Sequence, residues 1–300
     1  MKSLSLVKVY QSKERVEALK GVSLSIGKGE LFTLLGPNGA GKTTFLRIIS
    51  TQLMPTRGDA MVLGNSVLDQ PEEVRKHIAV VPQEVATYGN YTPWDYSYYF
   101  ARLRGMPSQS ARQAAEKALK AVDLSQLKNR TCSTLSGGEK KRAIIASALA
   151  SDTDVFMLDE PTSGLDAVAR RGVWSALRSL VEAGKTILLT THMMEEAEIV
   201  SDRLAIINKG QVIAVGRPDE IKALAKEKYR VVISGNFNKL SDYGEVVKMG
   251  NRQIVYVKTQ NEALELLKTT LELKLRAEAS PVTLEDVFVK LIGGVNNESH

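Results

Sequence analysis

Leu31-Phe32-Thr33-Leu34-Leu35-Gly36-Pro37-Asn38-Gly39-Ala40-Gly41-Lys42-Thr43-Thr44 decides the architecture of this chain. Its first five residues form a nearly continuous apolar run, the pattern of a strand buried on both faces. The glycine-rich stretch that follows ends in Lys-Thr at the start of a helix, which is the phosphate-binding loop pattern in its proper setting. The glycines let backbone N–H groups approach phosphate oxygens, and the helix N-terminus adds a partial positive charge. Lys42 is then the cation for the β- and γ-phosphates of a nucleotide, and the Thr43 hydroxyl a ligand for Mg²⁺. The plain alternative is an ordinary glycine-rich turn, and the complete motif between strand and helix argues against it.

Outward from this loop, apolar runs recur at Ile78–Val81, Val155–Leu158 and Ile187–Leu189, separated by helical segments. That alternation implies a parallel sheet covered by helices. Leu4 to Tyr10 and the cleanly alternating Val22–Ile26 read instead as antiparallel strands ahead of the Gly27-Lys28-Gly29 turn. Between about Pro93 and Ala150 there is little strand signal, and Ser110–Val122 and Gly138–Ala150 read as helices of an insertion. A hairpin is expected at Leu204–Asn208 and Gln211–Val215, turning at Asn208-Lys209-Gly210. After the Gly216-Arg217-Pro218 break, residues 221–300 contain short strands (Tyr229–Ile233, Gln253–Lys258) and two helices but none of the chemical motifs. They read as a small accessory domain following a nucleotide-binding domain at residues 1–220.

Composition sets the outer bounds. Of 300 residues, 43% are hydrophobic and 25% charged, which fits a folded chain with one large core or two smaller ones. No apolar stretch approaches the roughly 18–20 residues needed to cross a bilayer, and Lys8 interrupts any leader at the N-terminus. The single cysteine, Cys132, fits a reducing compartment and reads as a small packing residue. A net charge of +6 suits nucleotide, nucleic acid or an anionic membrane as partner and does not choose among them. No metal spacing of Cys and His, and no interleaving of basic and aromatic residues, points to nucleic acid.

Two further stretches carry chemistry. Val155-Phe156-Met157-Leu158-Asp159-Glu160 ends a buried strand in two acids. Asp159 is placed to hold Mg²⁺, and Glu160 to act as general base on the attacking water. A strand followed by Asp-Glu is by itself also what a solvated turn looks like. Ser136-Gly137-Gly138-Glu139 has a plain reading as a capping box. Two glycines in a first turn weaken it, each costing roughly 0.8–1 kcal/mol against Ala, and make more sense if bare amides must face a phosphate. One nucleotide cannot readily use both phosphate sites of a single protomer.

At this point the chain resembles the ABC ATPases. Gly36–Thr43 is similar to Walker A, Leu135–Glu139 to the family signature, and Val155–Glu160 to Walker B. Ser163-Gly164-Leu165-Asp166 is similar to the D-loop, Gln83 to the Q-loop glutamine, and His192 to the switch histidine. Tyr10 stands where the family has an aromatic that stacks on adenine. The resemblance covers residues 1 to about 220 and implies an α/β fold: a P-loop NTPase parallel sheet with an N-terminal antiparallel β-subdomain and a helical insertion. A small C-terminal α+β accessory domain would follow. It implies hydrolysis of ATP with Mg²⁺, Glu160, His192, Gln83 and Lys42 being catalytic and Thr43, Gln83 and Asp159 facing the metal. Tyr10, Gly36–Thr44, Ser136, Gly137, Gly138, Glu139 and Asp166 would touch nucleotide. Taken singly, His192 could be a structural histidine, and a strand tyrosine such as Tyr10 needs no special reason.

The resemblance also resolves the two phosphate sites. In that family two domains pair head to tail, each ATP lying between Walker A of one and the signature of the other. With one copy of each motif, this chain is expected to pair with itself or with a homologous subunit. Thr191-His192-Met193-Met194-Glu195-Glu196 and Leu284-Glu285-Asp286-Val287-Phe288 look like the daunorubicin-resistance and sodium-exporter branch. That branch implies a separate integral-membrane permease, a cytoplasmic place on the inner membrane face, and no nucleic acid partner. The aromatic segment Tyr91–Phe100 suits either a partner contact or packing of the insertion. A chromosome clamp would need long flanking heptads, which are missing, and the ribosome-associated switches normally carry two such halves in one chain.

Overall fold

The computed structural model describes residues 1–11, 15–84, 87, 89–235 and 240–297. Contacts divide them into two compact units, Met1–Val215 and Gly216–His300.

The first unit contains β1 (Lys2–Gln11), β2 (Arg15–Val22), β3 (Leu31–Leu35), α1 (Lys42–Ile49), β4 (Arg57–Val62), β5 (Asn65–Ser66), α2 (Pro71–His77) and β6 (Ile78–Val81). There follow α3 (Pro93–Leu103), α4 (Ser108–Ala121), α5 (Gly137–Leu149), β7 (Val155–Asp159), α6 (Ala167–Glu182), β8 (Thr186–Thr191), α7 (Met194–Val200), β9 (Arg203–Asn208) and β10 (Gln211–Gly216). One sheet runs β10-β9-β3-β8-β7-β6 and the other β2-β1-β4-β5. In the first, β3, β6, β7, β8 and β9 pair in parallel.

The apolar runs are buried because they face two cores at once. Leu31, Phe156, Leu158, Ile187 and Leu189 pack on the side of α3–α6, with Ala101, Leu119, Ile145 and Leu177. Their alternating neighbours Phe32, Leu34, Val155, Met157 and Leu188 pack on the other, with Phe45, Leu46 and Ile49 of α1 and with Leu6 and Leu19 of the antiparallel sheet. The period of two along each strand sorts side chains between the layers. The fold is thus a parallel sheet with helices on one face and α1 plus an antiparallel sheet on the other.

One local reading shifts and one holds. The alternation at Val22–Ile26 marks burial rather than a ladder strand. β2 ends at Val22, and beyond it the Ser3 hydroxyl accepts from the Leu24 amide at 2.8 Å, doing the work of a strand partner. Ser25 keeps a single bridge to Lys2. The β9–β10 hairpin turns on Lys209 and Gly210, both at positive φ (46° and 78°), as a two-residue turn requires. Cys132 is fully buried, and burial raises its thiol pKa, in keeping with a packing residue.

The second unit contains α8 (Pro218–Lys222), β11 (Tyr229–Ser234), β12 (Glu245–Met249), β13 (Arg252–Val257), α9 (Gln260–Glu272), β14 (Arg276–Pro281) and α10 (Leu284–Asn297). Its antiparallel sheet runs β12-β13-β11-β14, and Val231, Ile233, Val255 and Val257 pack against Ala263 and Leu266 of α9.

Candidate functional site

Strand order alone gathers most of the candidate residues. β3, β8, β7 and β6 lie side by side in the sheet, with Leu35 beside Thr191 and Asp159 beside Thr190. The next residues along the chain are Gly36 after β3, His192 after β8, Glu160 after β7 and, two further on, Gln83 after β6. All emerge at the carboxyl edge, where open parallel sheets bind ligands.

The loop itself explains its glycines. A Cβ on Gly36 would lie 2.3 Å from the Ile207 carbonyl, and one on Gly41, at φ 106°, 2.5 Å from the Ala18 carbonyl. Gly39, at φ 78°, has open space around it. Two glycines are therefore fixed by packing, and the third by its dihedral on the open side. Lys42 is buried at the head of α1, and its ammonium donates to the carbonyls of Gly36 (2.8 Å) and Pro37 (3.1 Å).

Glu160 is the hub. Its carboxylate pairs with Lys42 Nζ at 3.2 Å and lies 3.0 Å from His192 Nδ1 and 3.5 Å from Gln83 Nε2. Its own amide donates to the Thr190 carbonyl at 3.0 Å. The Thr190 hydroxyl donates to Asp159 Oδ1, which orients the buried neighbouring carboxylate. A cleft of about 350 Å³ is lined by Tyr10, Asn38, Gly39, Gly41, Lys42, Thr43, Thr44, Gln83 and Glu160, with Val16 and Ala18. Tyr10 is partly exposed at its mouth, its hydroxyl 3.3 Å from Thr44 Oγ1.

The remaining candidates stand apart from this cleft. Ser136, Gly137, Gly138 and Glu139 head α5 and are absent from its described lining. The capping box forms: the Ser136 amide donates to Glu139 at 2.7 Å, and the Glu139 amide to Ser136 Oγ at 3.3 Å. The Ser136 amide accordingly holds the Glu139 carboxyl below its ordinary pKa. Gly137 nonetheless has no internal reason to be glycine, because its φ is not positive and a Cβ there would meet nothing within 4 Å. Asp166 caps α6, accepting from the amides of Val168 and Ala169, both at 2.9 Å. The Ala169 amide is the main cause of its lowered pKa.

In the aromatic segment, Trp94 stacks on Tyr98 at 4.7 Å against the helical core, whereas Tyr91, Tyr99 and Leu103 are exposed. Packing of the insertion therefore accounts for Trp94 and Tyr98, while Tyr91 and Tyr99 lie on the surface.

Sequence reasoning passed over Thr190 and Lys141. The first was visible only as one of two threonines ending a strand. The second lies on a buried helix face, with Ile145 and Ala148 at the following i+4 and i+7 positions, and that spacing was the available signal.

The family model for ABC transporters matches residues 19–163. A Nod factor export ATP-binding protein I of Ralstonia nicotianae is 36% identical over 283 residues, 91% of this chain and 88% of that protein. The chain belongs to the ABC transporter family. The daunorubicin/doxorubicin resistance ATP-binding protein DrrA of Streptomyces peucetius is 38% identical over 218 residues, 73% of this chain and 65% of DrrA. The dimeric post-hydrolysis state of the ATP-binding cassette MJ0796, bound to ADP and Pi, superposes with a TM-score of 0.67 at 29% identity. That match spans 72% of this chain and 97% of the cassette. This ABC subunit is accordingly an ATP-binding ATPase with the cassette fold. No helix among the described residues is long and apolar enough to cross a membrane.

Proposed function

We propose that this chain is the ATP-hydrolysing motor of an exporter whose membrane-spanning permease is a separate polypeptide. The observation that carries the hydrolytic part of this reading is the convergence of Lys42, His192 and Gln83 on the Glu160 carboxylate beside the glycine loop. The export part rests on the likeness to export and drug-resistance ATP-binding proteins. Lys42 holds the β- and γ-phosphates, the loop amides of Gly36–Thr44 cradle them, and Tyr10 stacks on adenine. Glu160 orients the attacking water and takes its proton, and His192 contacts the γ-phosphate.

The donors around the cleft fit Mg²⁺. Thr43 and Gln83 line it, Asp159 is buried beside it, and all three offer the hard oxygens this ion prefers. No cluster of three or more metal-holding His, Cys, Asp or Glu side chains occurs among the described residues. The donor set of Thr43, Gln83 and Asp159 would suit an ion held by one carboxylate, a hydroxyl, water and phosphate. When bound, the ion neutralises charge on the phosphates.

Ser136–Glu139 and Asp166 complete the site of a second subunit, either another copy of this chain or a homologous ATPase. A Gly137 with space all around it and no backbone need for glycine supports an intermolecular use of its amide. The first unit is then the nucleotide-binding domain and the second an accessory domain. The subunit works from the cytoplasm, peripheral on the inner membrane face, without nucleic acid.

Glu160→Gln tests the core of this reading. Gln keeps the size and loses the basicity, so ATP–Mg²⁺ should bind normally while hydrolysis falls by about 10²-fold or more. Two unhydrolysed ATP molecules should then hold a closed dimer in size-exclusion chromatography with ATP but not with ADP. A variant that binds ATP tightly and stays monomeric contradicts the head-to-tail arrangement.

A further inference from the structure

The backbone that carries Glu160 is unusual. Glu160 has φ 47°, in the left-handed region that a non-glycine residue adopts only when its surroundings impose it. Its amide is fixed to Thr190. Its carbonyl closes the following turn by accepting from the Ser163 amide at 3.3 Å. That carbonyl has one more donor, the ammonium of Lys141 at 2.6 Å. The same ammonium reaches the carbonyl of Ser163 at 3.1 Å, so it spans both ends of the turn.

Lys141 is 8% exposed, a rare place for a lysine. Among the described residues it forms no ion pair within 4.0 Å, and its two hydrogen bonds both go to backbone carbonyls. Burial pulls its pKa down, and the carboxylates of Glu160, Glu196 and Asp159 push it back up. A buried cation that bonds only to a turn serves to shape that turn. From the other side, Glu196 accepts from Thr162 Oγ1 at 2.6 Å and from Trp174 Nε1 at 2.9 Å. The residues after Glu160 are thus gripped by α5 through Lys141 and by α6 and α7 through Glu196.

We propose that Lys141 is a positioning residue for hydrolysis, holding the strained turn that aims the Glu160 carboxylate and joining it to the helix headed by Ser136–Glu139. One end of α5 carries the segment offered to a partner's nucleotide, and its second turn holds the base used on the chain's own nucleotide. A shift of α5 on closure therefore reaches Glu160 through two hydrogen bonds, with no side chain of the cleft in between. The inference rests on Glu160 being the general base.

The test is a double-mutant cycle in the full-length chain, with steady-state and single-turnover ATP hydrolysis beside binding of a fluorescent ATP analogue. Lys141→Met keeps the stem and removes the donors. It should lower kcat about tenfold or more, the loss of one or two charge-assisted hydrogen bonds, with nucleotide affinity within about twofold of wild type. Lys141→Gln, which keeps a neutral donor, should be intermediate. In a Glu160→Gln background, Lys141→Met should change residual hydrolysis by less than about twofold, because its target is already lost. Wild-type kcat in Lys141→Met, or an equal loss in both backgrounds, overturns the proposal. If Lys141→Met fails to bind nucleotide, Lys141→Gln decides by the same criteria. A Glu160→Gln protein that hydrolyses normally would instead refute the general base, leaving an unmistakably different record.

Discussion

The Lys42 ammonium has three donors and three acceptors within reach: the carbonyls of Gly36 and Pro37 and the Glu160 carboxylate at 3.2 Å. In the proposed function an arriving phosphate would compete with Glu160 for this cation and so free the carboxylate to face water. Removing the cation has two consequences. The phosphates would lose the buried positive partner proposed for them, and among the described residues the carboxylate of Glu160, 5% exposed, would keep His192 and Gln83. Lys42→Ala should therefore weaken ATP binding about a hundredfold, the loss of two charge-assisted hydrogen bonds or roughly 3 kcal/mol. Equilibrium binding of a fluorescent ATP analogue measures this directly, and near-wild-type affinity would refute the role given to Lys42. At this scale the motif residues were legible because each needs a particular atom at a particular place. Lys141 was not, since its partners are carbonyls of Glu160 and Ser163, and backbone acceptors leave no mark in a sequence.

Among the elements, the parallel strands were the easiest to read. A strand such as β8, with every residue buried, has no polar face to confuse it with a surface helix. The edge strands of the second unit were harder: β12 exposes nearly every residue, and its pairing with β13 comes from backbone register rather than apolar pattern. β14 alternates weakly for the same reason. Helix α5 was legible as a helix, yet its glycine start was ambiguous between a cap and a ligand site. The structure contains the cap and leaves Gly137 without an internal duty. That combination yields a prediction at this scale. Gly137→Asp should leave the fold and nucleotide binding intact, since nothing lies within 4 Å of the new Cβ, but should abolish hydrolysis by placing a carboxylate against the partner's phosphates. Mixed one to one with Lys42→Ala, it should recover up to about a quarter of wild-type activity, because half the dimers are mixed and each holds one intact composite site. No recovery when mixed dimers demonstrably form would exclude a site shared between subunits.

For the whole molecule, the two units have separate hydrophobic clusters, and every candidate nucleotide residue belongs to the first. The second is organised around Asp286, which is 8% exposed. Burial raises the Asp286 pKa, but the Thr283 amide and hydroxyl, the Tyr256 hydroxyl and Arg230 together bring it below the ordinary carboxyl value. The contacts are 2.7 Å to Thr283, 2.8 Å to Tyr256 and 3.2 Å to Arg230. A depressed carboxyl pKa stabilises the fold above the unfolded value of about 3.9 and ceases to do so as pH falls through the folded value. Two separable responses are therefore expected in calorimetry of the full chain. ATP at about a hundred times its Kd adds about 2.7 kcal/mol to whatever unit binds it, and should raise one transition by roughly 5–10 °C. Asp286→Asn leaves Arg230 without its anion and should lower the other transition by about 5 °C or more at pH 7. Wild type and variant should then converge as pH falls past the unfolded carboxyl value and through the lowered folded one, where Asp286 becomes protonated and its advantage is gone. A chain cut after Val215 should show only the ATP-sensitive transition. A single transition that moves with both ATP and Asp286→Asn would mean that the two cores unfold as one, and the expectation of two independently melting units would fail.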